Sequence, residues 1–153
     1  MRRKHKIDRR EIVLHIIEHF PAIKYKELIR LSKSSHGSLS YHISMLEKEG
    51  LIIVERGKST RLYSINVNNN DRIILRSVRN NTRKSIINTL IDGEKSLEEI
   101  NSVIKKSRST LLWHINYLIK EELVIKKKVN RHNYYLLNNR GMIISTLRRY
   151  HIR

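Results

Sequence analysis

The chain has 153 residues, 39% hydrophobic and 30% charged, the balance of a globular protein of one medium or two small domains. Its 32 Lys and Arg against 14 Asp and Glu give a formal charge of +18, far beyond what solubility needs, and this points to a polyanionic partner. The absence of cysteine excludes disulfides and thiolate metal sites, and no apolar run approaches the length of a membrane span.

Residues 1–7 form a basic arm that includes Arg2, Arg3 and Lys4. Its charge is that of the start of a secretion signal. Asp8, Arg9, Arg10 and Glu11 interrupt the adjoining segment, however, so a cytoplasmic protein is expected. Asp8 suits the cap of a helix over 9–19, with Ile12, Val13, Ile16, Ile17 and Phe20 on its apolar side and Pro21 as its stop. His15 and His19 lie one turn apart, but no third ligand at matching spacing accompanies them, and no metal site is expected. Residues 25–31 read as a short second helix with Leu28 and Leu31 inward. A tight connection over 32–35 leads to a third helix over about 36–49. On that helix Leu39, Ile43 and Leu46 share one face, and Tyr41, Ser44 and Lys48 the opposite one. Gly50 ends it. Residues 51–55 and 61–66 read as the strands of a hairpin, a wing with Arg56, Lys58 and Arg61 at its tip.

Residues 67–81 read as a linker, polar over 67–71, with a short helix over 72–78. Thr82 is the expected cap of a helix over 83–91, with Ile86, Ile87 and Leu90 inward. Residues 97–104 and 108–121 repeat the second and third helices. Residues 123–127 and 133–137 form a second hairpin, with Lys126, Lys127, Lys128, Arg131 and His132 near its tip. Residues 139–153 end the chain with a helix whose stripe is Met142, Ile143, Leu147 and Tyr150. A terminal amphipathic helix needs a surface to cover, and pairing with a second subunit, a homodimer, is expected in preference to folding back.

A shift of 72 residues lays His114 on His42. It also brings Ile100 onto Leu28, Val103 onto Leu31, Leu111 onto Leu39, Ile115 onto Ile43, Leu118 onto Leu46, Leu123 onto Leu51 and Tyr135 onto Tyr63. Apolar meets apolar through both cores, as in an internal duplication of a unit of about 60 residues. Glu122 stands where the first copy has Gly50, so the second long helix is expected to end differently.

The stretches LSKSSHGSLSYHISMLEKEGLI and IKKSRSTLLWHINYLIKEELVI, each followed by a basic hairpin, resemble winged helix-turn-helix repressor domains of the broad ArsR/MarR kind. The duplicated form is similar to archaeal transcriptional regulators with two tandem winged-helix domains. The resemblance implies an α+β, mostly helical fold. Two tandem winged helix-turn-helix domains, each of three helices and a β-hairpin wing, would occupy 8–66 and 82–138, followed by the C-terminal helix. It also implies binding to double-stranded DNA and transcriptional control. Metal-sensing ArsR proteins typically use cysteines, which this chain lacks, and no effector site is indicated.

A helix that is apolar behind and carries hydroxyl, amide, aromatic and basic groups in front suits the major groove. Base reading is therefore expected from His36, Ser38, Ser40, Tyr41 and Ser44, and from Arg108, Ser109, Thr110, Trp113 and Asn116. Arg108 leads, because its fork matches O6 and N7 of guanine; its rival role is phosphate clamping. Phosphate contacts are expected from Arg2, Arg3, Lys4, Lys33, Lys48, Arg56, Lys58 and Arg61, and from Lys105, Lys106, Lys120, Lys128, Arg131 and His132. His42 and His114, at the edge of the apolar face, read as hydrogen-bonded supports. No cofactor and no enzymatic activity are expected: no glycine-rich phosphate loop follows a strand, and the acidic residues are scattered. The rival readings are a sequence-indifferent, chromatin-like coat, an RNA-binding module and a protein-docking winged helix.

Overall fold

The computed structural model describes residues 8–153; the arm with Arg2, Arg3 and Lys4 lies outside the described residues. The chain divides into two compact units, Met1–Arg72 and Ile73–Arg153. The first contains α1 (Arg9–His19), β1 (Ile23–Lys24), α2 (Tyr25–Ser32), α3 (His36–Lys48), β2 (Ile52–Glu55) and β3 (Arg61–Ser64), and α4 (Asn69–Val78) carries the chain across the division. The second contains α5 (Asn81–Leu90), β4 (Lys95–Ser96), α6 (Leu97–Ile104), α7 (Arg108–Lys120), β5 (Val124–Val129), β6 (His132–Leu137) and α8 (Arg140–Arg149). One order of elements thus occurs twice. Each unit holds a three-stranded antiparallel sheet, β1-β3-β2 or β4-β6-β5. β1 and β4, two residues each, escape sequence reading because two residues show no alternation; they exist as edges paired to β3 and β6.

Side-chain caps start the helices where orphan amides need acceptors. Asp8 accepts from Arg10 N at 3.0 Å, Ser35 from Ser38 N at 3.2 Å and Ser107 from Thr110 N at 3.2 Å. Ser96 and Glu99 form a reciprocal capping box on α6. Asn80, not Thr82, caps α5, accepting from Arg83 N at 3.1 Å. Thr82 is already inside the first turn.

The two long helices end alike, contrary to expectation. At α3, Gly50 N donates to Glu47 O and Leu51 N to Leu46 O, both at 3.0 Å. At α7, Glu122 N donates to Ile119 O and Leu123 N to Leu118 O, both at 2.9 Å. This is the same double-bonded cap with a left-handed residue at its centre. Glu122 adopts φ +60° where Gly50 adopts +72°. The hydrogen bonds and the burial of Leu123 hold a residue type there that disfavours the conformation.

In the first unit the core gathers Val13, Ile17, Leu28, Leu39, Ile43 and Leu46 with Ile52 and Leu62 of the sheet. Three expected core residues are exposed: Ile12 and Phe20 at the ends of α1, and Leu31 on α2. Leu14 and Ile29 pack on the core in their stead. Val103, the repeat counterpart of Leu31, is likewise exposed, so both positions lie outside the buried stripe. The second core joins Ile86, Ile87, Leu90, Ile100, Leu111, Ile115 and Leu118 to Ile143 and Leu147 of α8. α8 therefore folds back on its own unit. The stripe expected to pair two subunits is spent there, at about 1.5–3 kcal/mol for each fully buried aliphatic side chain, while Met142 remains exposed.

The repeat is also longer than about 60 residues. Burial in α4 and α8 matches at a shift of 72: Asp71 with Ile143, Ile74 with Thr146, Leu75 with Leu147, all buried. The segment expected to be polar linker is accordingly built in: Val67 is buried and Asn69–Val78 is one helix. The shift slips by one within the wing. Ile52 pairs with Ser64, but Val124 pairs with Leu137. The second wing thus carries one extra residue, and Tyr135 is the counterpart of Leu62, not of Tyr63.

Candidate nucleic-acid interface

The long helices α3 and α7 each bury one face and offer the other to solvent. On α7, Leu111, His114, Ile115 and Leu118 are buried, and Arg108, Ser109, Thr110, Trp113, Asn116 and Lys120 are exposed. On α3, Leu39, Ile43 and Leu46 are buried, and His36, Ser40, Tyr41, Ser44 and Lys48 are exposed. Ser38 is half-buried, its amide tied to the cap. Tyr41 and Trp113 are each 63% exposed, too open for a packing role against the wing.

Several of these groups are already held by neighbours. The Tyr25 hydroxyl lies 2.9 Å from His36 Nδ1 and 3.2 Å from the His36 carbonyl oxygen, so the first α3 side chain is braced from α2. Ser107 Oγ donates to Thr110 Oγ1 at 2.9 Å and lies 3.3 Å from Ser109 Oγ. Trp113 stacks on Tyr117, with centroids 6.5 Å apart and planes at 29°, and the Arg83 guanidinium sits 3.9 Å from the Tyr117 centroid. Arg83 is itself buried and donates from Nε to Ser77 O at 3.2 Å. Sequence reading missed this pillar. Tyr117, one turn beyond Trp113, is visible in the helical spacing, but nothing local marks a buried arginine on α5.

A groove runs between α3 and its wing, and a cleft opens between the first turn of α7, the β4–α6 corner and the second wing. The groove in the first unit encloses about 450 Å³, lined by Tyr25, His36, Ser40, Ser44, Arg56 and Thr60 among others. The cleft in the second, of about 320 Å³, is lined by Leu97, Arg108, Arg131, His132 and Asn133 among others. Tyr25 and Leu97, His36 and Arg108, and Thr60 and Asn133 occupy matched places.

The cations sort into free and engaged groups. Lys33, Lys48, Lys58, Lys105, Lys106, Lys120, Lys128, Arg131 and His132 are exposed. Arg56 is exposed but donates from both terminal nitrogens to Glu47, at 2.9 and 3.0 Å. That bond holds the Glu47 carboxyl below its ordinary pKa. Arg61 does not belong among the phosphate contacts: it is 9% exposed and donates from Nη1 to Ala22 O at 2.8 Å, tying β3 to the turn after α1. In the longer second wing, Val124, Lys126 and Lys128 alternate with Ile125, Lys127 and Val129. Val124 is buried with Leu137 and Tyr135 in the core. Lys126 and Lys128 therefore lie on the core-side face, and Lys127 on the other, 3.5 Å from Glu94.

His42 and His114 are not the hydrogen-bonded supports expected. The Nδ1 atom of each is buried without a partner. Their rings instead meet the neighbouring aromatic edge-on, Tyr41 at 5.7 Å and Trp113 at 4.9 Å. Burial first, then the nearby Arg83 and Lys106 cations, hold His114 below the ordinary imidazole pKa. Among the described residues no helix is long and apolar enough to cross a membrane, and no group of three or more His, Asp or Glu is placed to hold a metal ion.

A short helix turning into a longer one, followed by a β-hairpin, defines the winged helix-turn-helix class of DNA-binding transcription regulators. Residues 71–149, from α4 to α8, match the family of the methanogenesis regulatory protein FilR1, N-terminal domain. The chain belongs to that family, and with it to the archaeal-type transcriptional regulators. It is 37% identical over 60 residues to an uncharacterized protein of Archaeoglobus fulgidus, covering 39% of this chain and 81% of that one. Among solved structures it is similar to HlyU from Vibrio cholerae, 28% identical, covering 53% of this chain and 91% of that one, with a TM-score of 0.47. It is also similar to Mb0332 from Mycobacterium bovis, described as a homodimeric winged helix-turn-helix DNA-binding domain, 18% identical, covering 50% and 71%, with a TM-score of 0.45.

Proposed function

We propose that the chain is a double-stranded DNA-binding transcription regulator built from two tandem winged helix-turn-helix domains. α3 and α7 enter the major groove, and the β2–β3 and β5–β6 wings lie on the backbone or in the minor groove. The carrying observation is the twofold occurrence of one helix face, exposed at Tyr41 and Trp113 and buried at Ile43 and Ile115. In this reading Arg108, in the first turn of α7, takes guanine O6 and N7, and Asn116, two turns on, takes adenine. The hydroxyls of Ser40 and Ser44 form weaker contacts that accept either partner. Lys33, Lys48, Lys58, Lys105, Lys106, Lys120, Lys128, Arg131 and His132 supply phosphate contacts around these readers. Such a regulator works on the chromosome, in the cytoplasm and associated with the nucleoid.

One rival reading has an observation of its own: the charge of +18 suits a sequence-indifferent coat. Selection from a random duplex pool, sequenced at two salt concentrations, separates the two. Enrichment of a spaced motif that survives higher salt is the expected result. Strong binding without enrichment that collapses with salt would establish the coat. Absence of duplex binding would overturn both readings in favour of an RNA or protein partner.

A further inference from the structure

A second cleft in the first unit shares only Lys58 with the proposed DNA contacts. It encloses about 320 Å³ between the β1–α2 corner and the wing turn, and is lined by Lys24, Tyr25, Lys26, Lys58, Ser59 and Thr60. Three lysines and three hydroxyl-bearing residues line it, with no carboxylate in the lining. The Tyr25 amide donates to Thr60 O at 3.0 Å, and Lys24 pairs with Arg61 in the β1–β3 ladder. The corner and the turn that carry the three lysines are thus fixed against each other by backbone bonds. Three lysines with three donors apiece line a hollow that has room for a phosphate with its waters.

The second unit supplies an internal comparison on the same backbone plan. Where the first has Lys24 and Lys26, the second, 72 residues on, has Ser96 and Glu98, and where the first has Lys58 the longer second wing, 73 residues on, has Arg131. Ser96 there is spent on the capping box with Glu99. The local charge passes from three cations to one cation and one anion while the fold stays the same, so Lys24 and Lys26 are not a requirement of the fold.

We infer that the cleft of Lys24, Lys26 and Lys58 is a phosphate site that grips the DNA backbone on the flank of the first unit, beside the groove in which α3 reads. The inference rests on the DNA-binding reading and adds to it a division of labour, with the first unit clamping and the second, through Arg108, discriminating. A phosphodiester and a free phosphate share this chemistry, and the test distinguishes them.

The full-length chain is titrated into labelled duplex across a range of salt concentrations, as wild type and as the triple variant Lys24→Ala/Lys26→Ala/Lys58→Ala. The site predicts affinity reduced about tenfold near physiological salt, equally for all sequences, with the log–log salt slope shallower by about 1–2. The triple arginine variant restores both. A control neutralising Arg9, Lys84 and Arg148, outside the cleft, has a smaller effect. If the control matches the cleft variant, or the cleft variant leaves the slope unchanged while wild type binds duplex, the site is overturned and the DNA-binding reading stands. If wild type binds no duplex, inorganic phosphate is titrated while the Tyr25 and Thr60 amide resonances are followed. Shifts that vanish in the triple alanine variant make the cleft a site for free phosphate, and no shift overturns it altogether.

Discussion

Replacing Glu122 by glycine should stabilise the protein, although it removes a side chain and a charge. Glu122 sits at φ +60° in the cap of α7, the place Gly50 occupies at +72° in the cap of α3. The left-handed conformation costs an L-residue about 1–2 kcal/mol, and glycine returns about 0.5–1 kcal/mol of that through the greater freedom of its unfolded chain. Removing a carboxylate from a helix C-terminus adds about 0.3–1 kcal/mol. The net gain is about 1 kcal/mol. The cap itself survives, since its bonds, and that from Asn138 Nδ2 to Glu122 O at 2.9 Å, use the backbone. Urea unfolding followed by circular dichroism measures the change, and thermal melting should rise by about 2–8 °C. Glu122→Ala isolates the charge and should gain only the smaller part. At the other cap a β-carbon on Gly50 meets nothing within 4 Å, so Gly50→Ala should lose about 1 kcal/mol through backbone strain alone. If Glu122→Gly proves no more stable than Glu122→Ala, the argument from the left-handed backbone is refuted.

Arg61→Ala should destabilise the first unit by about 1–3 kcal/mol through loss of the buried bond to Ala22, while the salt slope of DNA binding stays unchanged. A weaker slope in a fully stable variant would return Arg61 to the phosphate contacts. His114 is held below the ordinary imidazole pKa in the folded protein, so the unfolded chain takes up the proton first. Its contribution to stability is therefore complete above about pH 6.5 and is lost as pH falls below it. Urea unfolding between pH 8 and 5 should show this decline, and His114→Gln should flatten it. An unchanged profile would remove His114 as the cause. Arg108→Ala should weaken the best site by about 1–3 kcal/mol and relax one base position. A loss equal on all sequences, read by the same pool selection, would make Arg108 a phosphate contact.

The range of each interaction decides how much of the fold and site was legible in the sequence. The long helices were, because Leu39, Ile43, Leu46 and their counterparts report burial through spacing alone, and all six are buried. The exposed face of α7 was legible for the same reason. The features that were missed depend on partners distant in sequence. β1 and β4 exist only against β3 and β6. Arg61 carries the charge of a wing contact but is captured by a carbonyl 39 residues away. The stripe on α8 was visible, but the surface it covers was not. That α4 is the same element in the first copy was hidden because Asp71 stands where α8 has Ile143, and Ile74 where it has Thr146. The apolar pattern was broken at two of the positions the fold keeps buried.

The two copies also show which features the fold demands and which it leaves free. Duplication hands both units the same sheet order, buried stripe and long-helix caps, and these have been held even at a cost, as the strained Glu122 shows. The outward positions have diverged in chemistry. His36, braced by Tyr25, corresponds in the repeat to Arg108, whose neighbour at the Tyr25 position is the apolar Leu97. Tyr41 has Met45 one turn on, where Trp113 has Tyr117 and, behind it, Arg83. The first wing closes early and its Arg56 is bound to Glu47, while the second extends through six paired positions and carries Lys126 and Lys128 on its core-side face. A rigid arginine-and-aromatic face beside a long basic wing favours discrimination. A serine-rich face beside a lysine cleft favours grip. Two units selected only for fold would have kept the faces alike or let them drift without order. Divergence at matched places is what the proposed function, with one unit that grips DNA and one that reads it, requires.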